Sequence, residues 1–385
     1  MYFIEGLYTL KTYNPANLPI SLLRSTILSV LISIVIIYIF PFKLQGITPK
    51  TNLILIASLS LPLLYFWRRF FFNFFAHENR QRGVLLIGSQ STLDLASEEL
   101  KRKPYLGYRL VGSLTLDEAL NHTVSSDTEL IALERNISTN PEIYKKYFNL
   151  LESGIEVMDL ARFAEKISGK IPLAAIDESW FVEYCGHNES RSYDLFKNFI
   201  DRFVAILMII GIFPIYLILL PILLIVHGRP IFFKQTRTGL NNKPFTLWKL
   251  RSMVVDAEKS GAQWAKPGDA RITPMGKFLR KSRLDELPQL INIFKGEMSL
   301  VGPRPERPEM IESKLAPKIP FYNLRHLVKP GVTGWAQVTF RYGFSTEDSA
   351  EKLQYDLYYV KNKNLWLDII VIIKTIKTVL TGAGQ

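Results

Sequence analysis

Residues 203–226 are 24 consecutive positions without a charged side chain, FVAILMIIGIFPIYLILLPILLIV. A helix of about 20 apolar residues is enough to cross a bilayer, so this run confines the chain to folds that meet a membrane. Two features argue against a plain crossing. Pro214 falls in the middle and Pro221 two turns later, and an interior proline removes a backbone hydrogen bond and bends the helix. The flanks are also basic on both sides, with Lys197 and Arg202 before, and Arg229, Lys234 and Arg237 after. A spanning helix carries its basic excess on one side. These features favour a re-entrant helix over about residues 199–226, kinked at Pro214, that dips into one leaflet and returns. A plain transmembrane helix is the alternative.

Two further apolar segments, residues 20–41 and about 52–75, read as a membrane hairpin within residues 1–78. Basic residues gather late in the second segment, which Arg68 and Arg69 interrupt, and after it at Arg80 and Arg82, while the connecting loop holds Lys43 and Lys50. The positive-inside rule then puts both ends of the hairpin in the cytoplasm. The first segment lacks a small-residue cleavage site and reads as a retained helix rather than a signal peptide. Near the other end, residues 365–380 (LWLDIIVIIKTIKTVL) place Lys374 and Lys377 on one face of an apolar helix. That pattern fits an interfacial helix, with a buried core helix as the rival reading.

Between these membrane elements, residues 79–185 change character. RGVLLIGS reads as a buried parallel strand ending in a glycine turn, followed by a helical stretch and further short apolar runs near residues 110–114, 129–133 and 155–160. The alternation predicts a Rossmann-like α/β unit. Of a G-x-G-x-x-G fingerprint only Gly88 is present, because Gln90 and Leu93 fill the other glycine positions. This argues against dinucleotide binding and for a regulatory or oligomerising unit.

Charge divides the chain in two. Residues 1–196 hold 19 Lys and Arg against 20 Asp and Glu, whereas residues 197–385 hold 28 against 15. The second half therefore meets something anionic, and the apolar run that opens it points to lipid and phosphates and away from nucleic acid. Cys185 is the single cysteine, so no intramolecular disulfide forms, which suits a reducing cytoplasmic setting. The five histidines show no paired metal spacing.

Four stretches of the basic half concentrate Arg, Lys, Gly and Pro: GRPIFFKQTRTG (228–239), FTLWKLRSM (245–253), FLRKSRLDELPQLINIFKGEMSLVGPRP (278–305) and LVKPGVTGWAQV (327–338). Asp285 and Glu286 stand just before Pro288, a residue tolerated in the first turn of a helix. A helix N-terminus suits either a carboxylate or a phosphate, so on its own Asp285 reads equally as a cap with Glu286 solvated. Arg280, Lys281, Arg283 and Arg304 shift that balance. An aspartate attacks phosphorus only where the negative oxygens of the electrophile are neutralised, and arginine forks do that.

In this order the four stretches resemble the bacterial sugar transferase family, the monotopic phosphoglycosyl transferases, over residues 197–385. The preceding hairpin and Rossmann-like unit look like those of its longer members, which often carry four N-terminal membrane helices where this chain shows two. The resemblance implies a membrane α/β protein: a transmembrane hairpin, a Rossmann-like domain, then a monotopic catalytic domain over residues 186–385 with amphipathic interfacial helices. It implies that Asp285 is the nucleophile, forming a phosphosugar–enzyme intermediate, and that Glu286 helps bind Mg²⁺. Lys249, Arg251, Arg280, Arg304 and Arg341 are then the expected phosphate contacts. The implied donor is a UDP-sugar and the implied acceptor undecaprenyl phosphate, in the initiating step of exopolysaccharide, capsule or O-antigen synthesis. The implied location is the bacterial inner membrane with the catalytic domain in the cytoplasm, and the Rossmann-like unit is the candidate for homodimer formation. A non-catalytic lipid-binding scaffold and a Leloir-type glycosyltransferase are the competing readings. Neither needs the Asp285–Glu286 pair.

Overall fold

The chain folds as two units, Met1–Ala175 and Ile176–Gln385. The computed structural model describes residues 22, 23, 25–27, 29–31, 33, 34, 49–75, 81–135, 141–185, 191–257, 269–340 and 345–380. Arg341 and much of the expected segment 20–41 lie outside the described residues.

In the first unit, helix α1 (Pro49–Phe75) contains a stretch, 52–70, long and apolar enough to cross a membrane. Leu22, in the described helical residues before it, packs on Leu61, Leu64 and Tyr65 of α1. The rest of the unit runs β1 (Arg82–Ile87), α2 (Gln90–Arg102), β2 (Tyr108–Leu114), α3 (Leu116–Asn121), β3 (Leu130–Leu133), α4 (Pro141–Asn149), β4 (Glu156–Asp159) and α5 (Leu160–Ser168). The four strands form a parallel sheet in the order β2-β1-β3-β4.

The unbroken apolar run of β1 explains this arrangement. Successive strand residues point to opposite faces, so Val84 and Leu86 pack with Leu93, Ala96 and Phe163 on one side. Leu85 and Ile87 pack with Ala119, Ile131 and Tyr147 on the other. Only a sheet covered on both faces asks for such a run. Each of these fully buried large side chains stabilises the unit by about 1.5–3 kcal/mol.

The second unit begins with α6 (Glu178–Cys185) and the 37-residue helix α7 (Arg191–His227), which continues through Pro214 and Pro221. The unit therefore starts before α6. Trp180 is buried beneath the Lys361 ammonium, 4.4 Å from its ring centroid, and Phe181 packs on Phe321. After α7 comes an antiparallel hairpin, β5 (Phe232–Thr238) and β6 (Pro244–Leu250). Then follow α8 (Pro274–Lys281), a 3-10 turn (Leu284–Glu286), α9 (Gln289–Lys295), β7 (Ser299–Val301), a short α10 (Pro308–Met310) and β8 (Gly331–Thr333), which pairs in parallel with β7. Helices α11 (Trp335–Thr339), α12 (Thr346–Asn362) and α13 (Leu365–Leu380) close the unit.

Most of α7 is exposed, and the four positions it buries, Asp201, Ala205, Leu219 and Leu223, lie on either side of Pro214. Near its start Asp201 accepts from Ser299 Oγ (2.6 Å), and Ala205 joins Leu247, Leu290 and Ile293. Towards its end Leu219 and Leu223 join Leu250 and Leu279. Helix α13 divides its residues between the two readings of its sequence. Leu367 and Val371 are buried, while Trp366, Ile369, Ile372 and Ile376 are exposed on another face. Asp368 ties it down, accepting from Lys197 (2.7 Å), Tyr193 (2.8 Å) and Tyr359 (2.7 Å).

Candidate active site

Three backbone features deliver charged side chains to one place. Strand β6 presents Lys249 near its end. Helix α8, entered through a Thr273 side-chain cap on the Gly276 N–H and Pro274 in its first turn, presents Arg280. The loop after β7 presents Arg304 between Pro303 and Pro305.

Between α8 and the 3-10 turn the chain reverses through Arg283, whose φ of 58° lies in the left-handed region. A non-glycine residue there is strained, and such strain collects at functional sites. The reversal sets Asp285 and Glu286 in a tight turn of their own, one step before α9, which begins after Pro288. The pair therefore does not cap α9 in the way its spacing before proline suggested.

The Arg304 loop is held by close backbone packing. Gly302 donates to Thr333 O (2.8 Å) and Gly331 to Pro303 O (2.9 Å). A Cβ on Gly302 would stand 2.3 Å from Lys329 O, so only glycine lets these strands approach. From behind, the buried Arg325 donates to Arg304 O (2.9 Å), to Tyr322 Oη (2.7 Å) and to Asp356 (2.7 Å). Burial pushes the Asp356 carboxyl up to about 6 despite Arg325.

Glu286 is the hub of the charges. Its Oε1 receives Arg304 Nη2 at 2.9 Å and Lys249 Nζ at 3.4 Å, and its Oε2 lies 3.8 Å from Arg283 Nη1. Burial alone would raise its carboxyl, but Arg304, then Lys249 and Arg283, outweigh that and hold it well below the usual range. Asp285 behaves oppositely. It is buried, its Oδ1 has no hydrogen-bond partner, and burial followed by repulsion from Glu286 raises its carboxyl against the pull of Lys249, Arg280 and Arg283. The adjacent carboxylates thus sit in opposite environments: Glu286 is ringed by cations, and Asp285 is desolvated.

Of the residues expected from sequence, the structure gathers Asp285, Glu286, Lys249, Arg280 and Arg304. Arg280 Nε also donates to Ser252 Oγ (2.9 Å). Arg251 is placed differently. Its Nη2 donates to the carbonyls of His227 and Gly228, capping the C-terminal end of α7, while Nη1 is buried without a hydrogen-bond partner. Pro214 stands inside α7. Sequence reasoning counted Arg283 in the basic cluster beside Asp285 but not among the expected phosphate contacts. It missed the Arg325–Asp356 pair, because no local pattern links residues 325 and 356.

The first unit holds a second carboxylate of interest, Glu134, just past β3. It accepts from the Ser89 N–H and from Ser89 Oγ (2.9 Å) at the start of α2. In doubly wound sheets that helix N-terminus is where a ligand phosphate sits. Here a Cβ on Gly88 would meet Glu134 and Leu160 side-chain atoms within 3 Å, so the glycine makes room for the protein's own carboxylate.

Residues 192–382 match the profile of the bacterial sugar transferase family. An N-acetylgalactosaminephosphotransferase of Aeromonas hydrophila, named for UDP-N-acetylgalactosamine and undecaprenyl phosphate, is 38% identical over 230 residues, 60% of this chain and 53% of that protein. A UDP-glucose:undecaprenyl-phosphate glucose-1-phosphate transferase of Xanthomonas campestris pv. campestris is 31% identical over 328 residues, 77% of this chain and 66% of that protein. The chain thus spans just over half and just under two thirds of these two relatives. A sugar transferase of uncharacterised activity from Bacillus subtilis, EpsL, is 38% identical over 194 residues, which make up 90% of its length and 49% of this chain. With the motif order, the cation-ringed carboxylate pair and these matches in agreement, the chain belongs to the bacterial sugar transferase family.

Proposed function

We propose that the protein transfers a sugar 1-phosphate from a UDP-sugar to undecaprenyl phosphate, by a ping-pong reaction through Asp285. The observation that carries this reading is the pairing of a buried, unpartnered Asp285 oxygen with a neighbour, Glu286, ringed by Lys249, Arg283 and Arg304. A lipid-binding scaffold needs cations but no desolvated carboxylate among them. The relatives' names supply the donor and acceptor classes.

Asp285 attacks the sugar-bearing phosphorus of the diphosphate. A carboxylate–phosphorus bond forms, the bridging P–O bond breaks, and the bridging oxygen leaves with UMP. The lipid phosphate then attacks the same phosphorus, and the bond to Asp285 breaks to return the carboxylate. Charge balances in each half without a proton transfer. Arg280, Arg304 and Lys249 neutralise the diphosphate so that an anion can approach it.

Glu286 fits as a Mg²⁺ ligand. Among the described residues no three His, Cys, Asp or Glu side chains gather. Mg²⁺ at a diphosphate, however, takes one or two carboxylates and completes its shell with substrate oxygens and water. Glu286 Oε2, with its longer contact to Arg283, would hold it. A bound Mg²⁺ there supplies further charge neutralisation on the diphosphate.

The re-entrant reading of α7 belongs with this chemistry. Asp201 and Leu223, 22 residues apart, are about 33 Å apart along a helix, close to the thickness of a hydrocarbon core. Both ends pack on one body that also carries Lys249, Arg251 and Glu286. A straight crossing would draw those charges into the bilayer, so we place this unit on the cytoplasmic face, where nucleotide sugars are found. The product, a polyprenyl-diphosphate sugar, begins a surface polysaccharide.

The test is UMP release from a panel of UDP-sugars by the chain in nanodiscs, with Mg²⁺ and undecaprenyl phosphate. Wild type is expected to release UMP and to yield a trappable phosphosugar adduct. Asp285→Asn is expected to lose about four orders of magnitude in rate and all of the adduct. Release of UDP would assign a Leloir transferase instead, and absence of any nucleotide product would favour the scaffold.

A further inference from the structure

Tyr216 lies two residues past Pro214 on α7, on the face that turns towards the catalytic turn. It packs in the cluster formed by Leu219, Leu223, Leu250 and Leu279, which also takes in Leu284, the residue before Asp285. Its hydroxyl is buried and has no hydrogen-bond partner. Asp285 Oδ1, one residue past Leu284, is also buried and unpartnered. Two polar atoms thus stand unsatisfied at the junction of the membrane helix and the nucleophile, and neither satisfies the other.

Phenylalanine would fill the same space without leaving a buried donor unmade. The hydroxyl is therefore a cost to the free protein, explained by a partner that arrives during the reaction. The surroundings indicate which partner. Lys249, Arg280 and Arg304 supply the cations that a nucleoside diphosphate needs, whereas the cluster that Tyr216 joins is apolar and also takes in Leu220, Ile231 and Met275. One hydrogen-bond donor in an apolar wall, carried on a membrane helix, matches an apolar chain with a single phosphate at its end.

We propose that the Tyr216 hydroxyl donates a hydrogen bond to the phosphate of the lipid acceptor as that phosphate approaches the phosphorus bound to Asp285, making Tyr216 an acceptor-binding residue. The proposal rests on the ping-pong reading above. In the step it serves, an acceptor oxygen bonds to phosphorus, the phosphorus–Asp285 bond breaks, and its electron pair returns to the carboxylate. Tyr216 keeps its proton throughout.

The experiment compares wild type and Tyr216→Phe, as full chains in nanodiscs, in two assays. The first is rapid-quench UMP release from the UDP-sugar without lipid. The second is steady-state turnover against undecaprenyl phosphate concentration. The phenylalanine variant is expected to keep its burst of UMP and its thermal stability, and to lose about ten- to a hundredfold in kcat/KM for the lipid, the effect of one hydrogen bond to a charged group. An unchanged kcat/KM for the lipid, or an equal loss in both assays, overturns the proposal. A wild type that turns over but gives no UMP without lipid removes the ping-pong reading, and the proposal falls with it.

Discussion

Asp285 and Glu286 are adjacent in sequence and opposite in electrostatics. In the proposed reaction, attack on phosphorus requires the Asp285 carboxylate, and burial raises its protonation range while Lys249 and Arg280 lower it. The rate of the donor half-reaction should therefore rise with pH through that range. Lys249→Met removes one lowering charge, so the acid limb of the pH profile for UMP release should move to higher pH. Arg251→Met is the matched control: its guanidinium donates to the carbonyls that end α7, so it should leave the limb in place. A Lys249→Met profile with an unmoved acid limb would remove Lys249 from the control of Asp285. Stability depends on pH in the same direction through Glu286. Its depressed carboxyl favours the folded state at neutral pH, and that contribution is lost as pH falls below the ordinary glutamate range.

At the scale of elements, what the sequence reveals depends on whether the cause is local. The run at β1 and the glycine after it predict a buried parallel strand because strand period and two-sided burial leave a local trace, and the sheet forms there. The meaning of Gly88 leaves no such trace. Its lack of a side chain accommodates Glu134, 46 positions later, and only the fold brings the two together. Likewise Arg251 reads as a phosphate contact from its motif, but the end of α7 claims its guanidinium. The topology of α7 is open to a direct test. Ser192, in the first turn of α7, and Lys234, beyond its C-terminal end, are both exposed. With Cys185 replaced by Ser, single cysteines at these two positions should react with a membrane-impermeant reagent from the same face. Reaction from opposite faces would make α7 a transmembrane helix and reject the re-entrant reading.

At the scale of the whole molecule, every described residue assigned to the chemistry lies in Ile176–Gln385: the carboxylate pair, its cations, Tyr216 and the Arg325–Asp356 support. That unit has its own buried clusters around Val301 and Val371, Leu290 and Ile293, and Leu223 and Leu279. The Rossmann-like sheet has separate cores on its two faces, and the N–H at the start of its α2 is occupied by Glu134. A chain cut to residues 176–385 and placed in nanodiscs should therefore fold and release UMP with a kcat/KM for the UDP-sugar within about threefold of the full chain, less than the tenfold that 1.4 kcal/mol would bring. Circular dichroism and thermal unfolding establish first that the shortened chain is folded. If it is folded but inactive, the first unit contributes to the site directly. If it is active with a weakened KM for the lipid alone, the first unit acts by holding the catalytic unit at the bilayer, and helix α1 becomes the element to remove next.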